Sequence, residues 1–152
     1  MKHSTKIRAA RADDAQKVGA ITRAAYAKYV SRIGREPMPM TENFAAAIAR
    51  GTVVIIEADG LVRGCLIGWT EPDAFFIESI AVDPATQGQG LGRQLIDYAA
   101  ERARVSGLRA VRLYTNAAMT ENLALYRRIG FTETHRMMEN GLNRVYMRWV
   151  LP

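Results

Sequence analysis

Residues 75–104 constrain this chain more than any other stretch. They open with Phe75-Phe76-Ile77-Glu78-Ser79-Ile80-Ala81-Val82, a run so apolar and β-branched that it reads as a buried strand. Asp83-Pro84 ends it, because proline cannot donate to a sheet ladder and biases the residue before it away from helix. Gln87, Gly88, Gln89, Gly90, Leu91, Gly92 and Arg93 follow, and they open into a helical pattern carried by Leu91, Leu95, Tyr98, Ala99 and Arg102. Strand, glycine loop and helix N-terminus, in that order, make an anion site. Glycine lets the backbone turn tightly and approach a ligand with no Cβ in the way. The unpaired N–H groups of the first helical turn then point at the ligand, and Arg93 adds a positive charge at the same mouth. A phosphate or pyrophosphate suits such a place.

Counting excludes two familiar phosphate motifs. A dinucleotide fingerprint spaces its glycines G-x-G-x-x-G, and the third position counted from Gly88 is Arg93. A Walker loop needs G-x-x-x-x-G-K-[ST], which occurs nowhere in the chain. The string that fits is Q-x-x-G-x-G, read as Gln87, Gly90 and Gly92 after a strand ending Ile80-Ala81-Val82-Asp83-Pro84. In that context it resembles the acyl-CoA loop of the GCN5-related N-acetyltransferase (GNAT) superfamily. An ordinary glycine-rich connection is the plainer alternative.

The rest of the chain has the element order this resemblance implies. Lys6-Ile7-Arg8 reads as a first strand, and Asp13 and Asp14 sit where an N-terminal helical turn favours carboxylates. Val18, Ile21, Ala24 or Ala25, and Tyr29 carry a first helix to about Lys28 or Tyr29. Residues 29–40 hold two prolines and no periodicity, hence a long connection. A short helix starting at Thr41-Glu42 is stopped by Gly51. The period then switches to two. Residues 52–57 and 61–69 pair around Ala58-Asp59-Gly60, and Glu71-Pro72-Asp73 turns the chain into the Phe75 strand. After the long helix come a strand over 110–115, a helix from about Thr120 to Arg128, and a closing hairpin around Asn140-Gly141. The expected fold is a mixed α/β sheet with helices on both faces, β-α-α-β-β-β-α-β-α-β-β, in one domain spanning residues 1–152.

A second segment adds to the resemblance. Asn122-Leu123-Ala124-Leu125-Tyr126-Arg127-Arg128-Ile129-Gly130-Phe131 is similar to the superfamily's A-x-x-L-Y-x-x-x-G-F, with Ala124-Leu125-Tyr126 and Gly130-Phe131 in place. One position departs: many members have asparagine seven residues before this tyrosine, where it helps hold CoA, and here it is Met119. Asn116 and Asn122 lie nearby, and spacing alone does not choose between them.

The reaction implied by the resemblance is attack of an amine on the thioester carbon of acetyl-CoA, here a cosubstrate. Ile80, Ala81 and Val82 would then offer backbone groups to the pantetheine arm, with Ile80 and Val82 side chains in the core. Residues 87–93 would take the pyrophosphate. Glu78 is in phase with Phe76, Ile80 and Val82 in a run apolar on both faces, where a carboxylate is costly unless paired or protonated. A raised pKa would suit a general base for an ammonium substrate; a salt bridge or a wetted edge position is the structural alternative. Tyr126 occupies the position whose phenol donates a proton to the CoA thiolate in many relatives, which its ordinary pKa of about 10 permits. It could equally be a core tyrosine.

Composition bounds the remaining readings. The lone Cys65 permits no internal disulfide and has no histidine near it in sequence, so a buried structural thiol in a reducing compartment is expected. His3 and His135 are isolated, and no cluster has metal-ligand spacing, so no metal is expected. Residues 1–6 lack the apolar stretch of a signal peptide and no run is long enough to span a membrane, which reads as a cytoplasmic protein. A net charge of +6 favours anionic partners. Yet Arg8, Arg11, Arg23, Arg50, Arg63, Arg93, Arg109, Arg127 and Arg144 are scattered, so nucleic-acid binding ranks last of three readings. An acetyl-CoA-dependent N-acetyltransferase ranks first and a non-catalytic acyl-CoA-binding module second. The acceptor and the oligomeric state, a homodimer included, stay open; Arg32 and Arg35 or Glu36 and Glu42 could grip acceptors of opposite charge.

Overall fold

The computed structural model describes residues 4–152 of the chain, so the reading of His3 falls outside the described residues. Seven strands form one mixed sheet in the order β1-β2-β3-β4-β5-β7-β6. They are β1 Thr5–Ala9, β2 Val53–Ala58, β3 Leu61–Thr70, β4 Phe75–Val82, β5 Ala110–Asn116, β6 Thr132–Glu139 and β7 Leu142–Val150. The helices are α1 Ala15–Tyr26, α2 Val30–Ile33, α3 Phe44–Ala49, α4 Leu91–Val105 and α5 Thr120–Ile129. This is the expected order with one addition: residues 29–40 are less irregular than their prolines suggest, because a 3₁₀ turn at Ala27–Tyr29 leads into α2. The short third helix also starts later than Thr41. Asn43 caps it, its side chain accepting from the Ala46 N–H at 3.0 Å. Among the described residues no helix is long and apolar enough to cross a membrane.

The described chain divides into two compact units. The first comprises Met1–Gly68 and Ser79–Tyr98. In it β2 pairs antiparallel with both β1 and β3, and the Asp59-Gly60 turn closes the β2–β3 hairpin with both residues at positive φ. Its core gathers Val18 and Ile21 of α1, Ile55 and Ile56 of β2, Leu66 and Ile67 of β3, and Leu91 and Leu95 of α4. Asp14 fastens the start of α1. Its carboxylate accepts from Arg8 at 2.8 and 3.1 Å and from the Arg11 N–H at 2.7 Å.

The second unit comprises Trp69–Glu78 and Ala99–Pro152. Here β4 runs parallel to β5 from Phe75↔Val111 to Ile77↔Leu113, while β7 pairs antiparallel with β5 and β6. The two faces of this sheet differ in chemistry. Val111, Leu113 and Thr115 of β5 and Val145, Met147 and Trp149 of β7 are buried; the alternating Arg112, Tyr114, Asn116, Arg144, Tyr146 and Arg148 are half-exposed. The buried face meets α5 through an aromatic stack, Tyr126 to Phe131 at 5.6 Å and Phe131 to Trp149 at 5.6 Å between ring centroids. That stack explains why glycine precedes Phe131. At Gly130, φ is +131°, and a Cβ there would lie 2.8 Å from the Trp149 indole nitrogen.

Two consequences can be measured. Gly130→Ala forces a strained backbone into a fixed indole, so stability falls by about 1–3 kcal/mol, seen as a lower denaturant midpoint at unchanged m. The Arg8 hydrogen bond, against a smaller opposing effect of burial, holds the Asp14 carboxyl below its ordinary pKa. Its contribution is therefore complete above the unfolded-state pKa of about 3.9 and is lost as pH falls through the lower folded value. Asp14→Asn should melt below the wild type at pH 7, with the gap closing from about pH 4 downward.

Candidate functional site

At the end of β4 the chain is turned by Asp83. Its carboxylate accepts from the Ala85 N–H at 3.0 Å and from Arg63 Nη1 at 3.1 Å, and its own N–H donates to the Arg63 carbonyl at 2.8 Å. Thr86 donates back to the Asp83 carbonyl through both its N–H at 2.9 Å and its hydroxyl at 3.0 Å. The result is a 3₁₀ turn at Pro84–Thr86 that leaves the strand at a fixed angle. The Ala85 N–H bond, together with Arg63 and against a smaller effect of burial, holds the Asp83 carboxyl below its ordinary pKa, so the corner stays charged at neutrality.

The glycine loop follows at once. Gly88 and Gly90 have φ of +83° and +81°, conformations that side-chain-bearing residues rarely adopt, and the space where their Cβ atoms would stand is open. Gln87, Gly88, Gln89 and Gly90 are exposed. A helical bond from the Gln94 N–H to the Gly90 carbonyl at 3.1 Å opens α4, so residues 91–93 form its first turn. Leu91 itself is buried. Gly92 differs from the other two glycines: it is helical, and a Cβ there would meet Val82 Cγ2 at an ordinary 3.7 Å. Arg93 is exposed and its Nε donates to Asp97 at 3.0 Å, one turn along the helix, which offsets part of the charge assigned to the loop mouth.

The strand leading into this loop is wetter than its sequence implies. Ala81 is buried, but Ile80 and Val82 are half-exposed, so they are not the core side chains expected of them. Alternation puts their side chains on the less covered side of the strand. The Ile80 carbonyl accepts from the Tyr26 hydroxyl at 2.8 Å, and the Val82 carbonyl from the Gln87 side chain at 3.4 Å. Tyr26 was not singled out by sequence; its place on the buried stripe of α1 marks it only as core. Cys65, in β3, is buried against Thr22, and burial pushes its thiol up to about 11, which makes it inert.

In the second unit Glu78 is half-buried, two residues along β4 from the buried Phe76. It is therefore at a partly wetted position rather than sealed inside an apolar run. Met119 is buried at the start of α5, and its sulfur accepts from the Thr115 hydroxyl at 3.3 Å and, weakly, from the Asn122 amide at 3.7 Å. Asn116 and Asn122 prove to be unlike. The Asn116 side chain accepts from the Ala118 N–H at 2.9 Å and shapes the turn out of β5. Asn122 is half-buried on α5, one turn before Tyr126 and on the same side of the helix. The Tyr126 ring is packed, with only 4% of the residue exposed. Nearby on the hairpin, burial and then the Glu139 carboxylate raise the Tyr146 phenol above its ordinary pKa. His135 in β6 is exposed and stacks on that tyrosine, and among the described residues no three His, Cys, Asp or Glu side chains are grouped to hold a metal ion.

If the loop conformation is what admits an anion, Gly90→Val should abolish coenzyme A binding in a folded protein, whereas Gly92→Ala should leave affinity within about threefold. Calorimetry of both variants with coenzyme A decides it, and equal binding by Gly90→Val and the wild type removes the loop from the site.

Residues 18–131 match the acetyltransferase (GNAT) family. Over 114 residues the chain is 32% identical to the N-alpha-acetyltransferase RimI of Mycobacterium tuberculosis, covering 75% of this chain and 63% of that protein. It is 36% identical over 90 residues to the mycothiol acetyltransferase of Pseudarthrobacter chlorophenolicus, covering 54% of this chain; the match spans about a quarter of that relative, 27% of its length. The fold of the PaiA N-acetyltransferase of Thermoplasma acidophilum, solved in complex with coenzyme A, is similar at a TM-score of 0.79 and 15% identity, covering 97% of this chain and 99% of that one. With the strand, glycine loop, helix and Tyr126 segment all inside the matched residues, the chain belongs to the acetyltransferase (GNAT) family.

Proposed function

We propose that this protein transfers an acetyl group from acetyl-CoA to a primary amine, on a small molecule or on a protein. The observation that carries the reading is the loop of residues 87–93: a Q-x-x-G-x-G string whose Gly88 and Gly90 take left-handed backbone conformations directly before the N-terminus of α4, in a chain of the acetyltransferase family. Gln87, Gly88, Gln89, Gly90, Leu91, Gly92 and Arg93 serve the pyrophosphate, mostly through backbone N–H groups. Ile80, Ala81 and Val82 serve the pantetheine arm through their main chain. The relatives' names span mycothiol, L-2,4-diaminobutyric acid and protein N-alpha acetylation, so the acceptor is a matter of this chain's own side chains. A buried, protonated thiol at Cys65 agrees with a cytoplasmic location.

The proton transfers fall to the second unit. Glu78, half-buried and beside a ring-lined surface, takes the proton that the attacking ammonium must lose. Tyr126 donates the proton that the departing thiolate must gain. Asn122 is the amide that stands in for the missing asparagine at Met119. It projects from the same side of α5 as Tyr126, whereas the Asn116 side chain is committed to its turn.

Acetyl transfer to a panel of amines, followed as free thiol release, is the direct test. Coenzyme A binding with no turnover on any amine moves the protein to a binding module. Tyr126→Phe keeps the packed ring, so stability should change by about 1 kcal/mol or less while turnover falls about 10²–10⁴-fold, a loss that eases as pH drops. Glu78→Gln should lower turnover, flatten the acidic limb of the rate profile and leave coenzyme A affinity unchanged. Full activity in either variant removes that residue's role.

A further inference from the structure

Thr22 and Tyr26 stand one turn apart on the buried stripe of α1, and both lead to a single peptide group of β4. The Tyr26 hydroxyl donates to the Ile80 carbonyl at 2.8 Å. The nitrogen of that same peptide belongs to Ala81. Burial pushes the Cys65 thiol up to about 11, against smaller opposing effects of Thr22 and of the Ala81 N–H beside it. The Cys65 sulfur in turn lies 3.6 Å from the Thr22 hydroxyl. The Ile80–Ala81 peptide is therefore bonded at its oxygen and packed at its nitrogen. Tyr26 is only 7% exposed, and its ring meets that of Tyr29 edge-on at 6.1 Å between centroids. A packed ring, not a swinging side chain, delivers the hydroxyl.

The end of β4 is held closely by its neighbours in the first unit. A Cβ at Gly64 of β3 would stand 2.9 Å from the Ala81 carbonyl oxygen, and the Asp83 N–H donates to the Arg63 carbonyl at 2.8 Å. α1 also packs against the Pro84–Thr86 turn, so one helix meets both the strand end and the corner after it. In an extended strand, successive peptide groups point to opposite edges. Fixing the plane of the Ile80–Ala81 peptide therefore also fixes where the adjoining main-chain groups aim. A carbonyl oxygen has two lone pairs, so the bond from Tyr26 leaves the Ile80 oxygen with capacity for a second donor.

We infer that Tyr26 is a positioning residue for the donor: through the Ile80 carbonyl it sets the main chain that holds the amide groups of the pantetheine arm. That arm is a flexible chain, and a flexible chain binds better to main-chain groups whose direction is fixed beforehand. Acting through a main-chain oxygen, Tyr26 contributes to donor binding rather than to the proton transfers. A hydroxyl that only filled the oxygen in place of the ligand would act in the opposite sense, and its removal would tighten binding. The inference rests on the acetyl-transfer reading above, in which Ile80, Ala81 and Val82 serve the pantetheine arm.

Calorimetric titration of the wild type and of Tyr26→Phe with two ligands tests this. One is coenzyme A; the other is adenosine 3′-phosphate 5′-diphosphate, its nucleotide end without the pantetheine arm. The substitution keeps the packed ring, so the two proteins should unfold within a few degrees of each other. Coenzyme A should bind the variant about three- to tenfold more weakly, the size of one hydrogen bond, while the nucleotide binds both proteins alike. In turnover, KM for acetyl-CoA should rise by more than kcat falls. Equal weakening of both ligands is what a merely structural role gives, and it overturns the inference. So does an unchanged or a tightened affinity for coenzyme A. Each of those results leaves acetyl transfer standing. A wild type that binds no coenzyme A defeats the reading of the glycine loop, and this inference with it.

Discussion

The Asp83 corner is the constraint on which the glycine loop depends. A strand cannot feed a helix N-terminus unless something turns the chain sharply and holds the turn against water. Here a carboxylate does so, accepting a main-chain N–H two residues ahead and a guanidinium from β3, while Thr86 closes the turn from the other side. With the corner fixed, the positive φ values of Gly88 and Gly90 follow from the path the loop must take to reach α4. The anion binding proposed for this loop would be a property of the backbone, since N–H groups of a first helical turn need no particular side chain. Arg93 is secondary in this arrangement, because Asp97 shares its charge.

The second unit is organised by a different interaction, the Tyr126–Phe131–Trp149 stack. Three rings and a glycine that admits the indole seat α5 on one side of the sheet. Seating α5 sets where Asn122 and Tyr126 stand, so packing helps to position the residues offered for chemistry. The same strands show the opposite chemistry on their other side, because alternation sends Arg112, Tyr114 and Asn116 away from Val111, Leu113 and Thr115. These strands are thus core on one face and carry half-exposed arginines and rings on the other.

The conformation of the glycine loop was legible because it is local. Its glycines, the preceding Asp83-Pro84 and the following helical stripe lie within twenty residues, and each has a conformational meaning on its own. The order of strands and helices was legible for the same reason, down to the Asp59-Gly60 and Asn140-Gly141 turns. The exposure of Ile80 and Val82 was not. Composition makes such a run look buried on both sides, and only tertiary contacts show that one side is partly open. Nor could spacing separate Asn116 from Asn122, since the difference lies in one hydrogen bond to the Ala118 N–H. Tyr26 reaching the Ile80 carbonyl across 54 positions is beyond any local reading.

The positive charge of the chain gains its meaning only in three dimensions. As a sequence it shows scattered arginines and a net +6, which points to anions in general and to none in particular. In the fold these arginines are assigned one by one: Arg8 to Asp14, Arg63 to Asp83, Arg112 to Glu71, Arg144 to Glu139 and Arg136 to Glu133. Cations distributed in this way stiffen corners, strand ends and hairpins. A net charge is a sum, but recognition is decided by the charges that remain after neighbours have been satisfied.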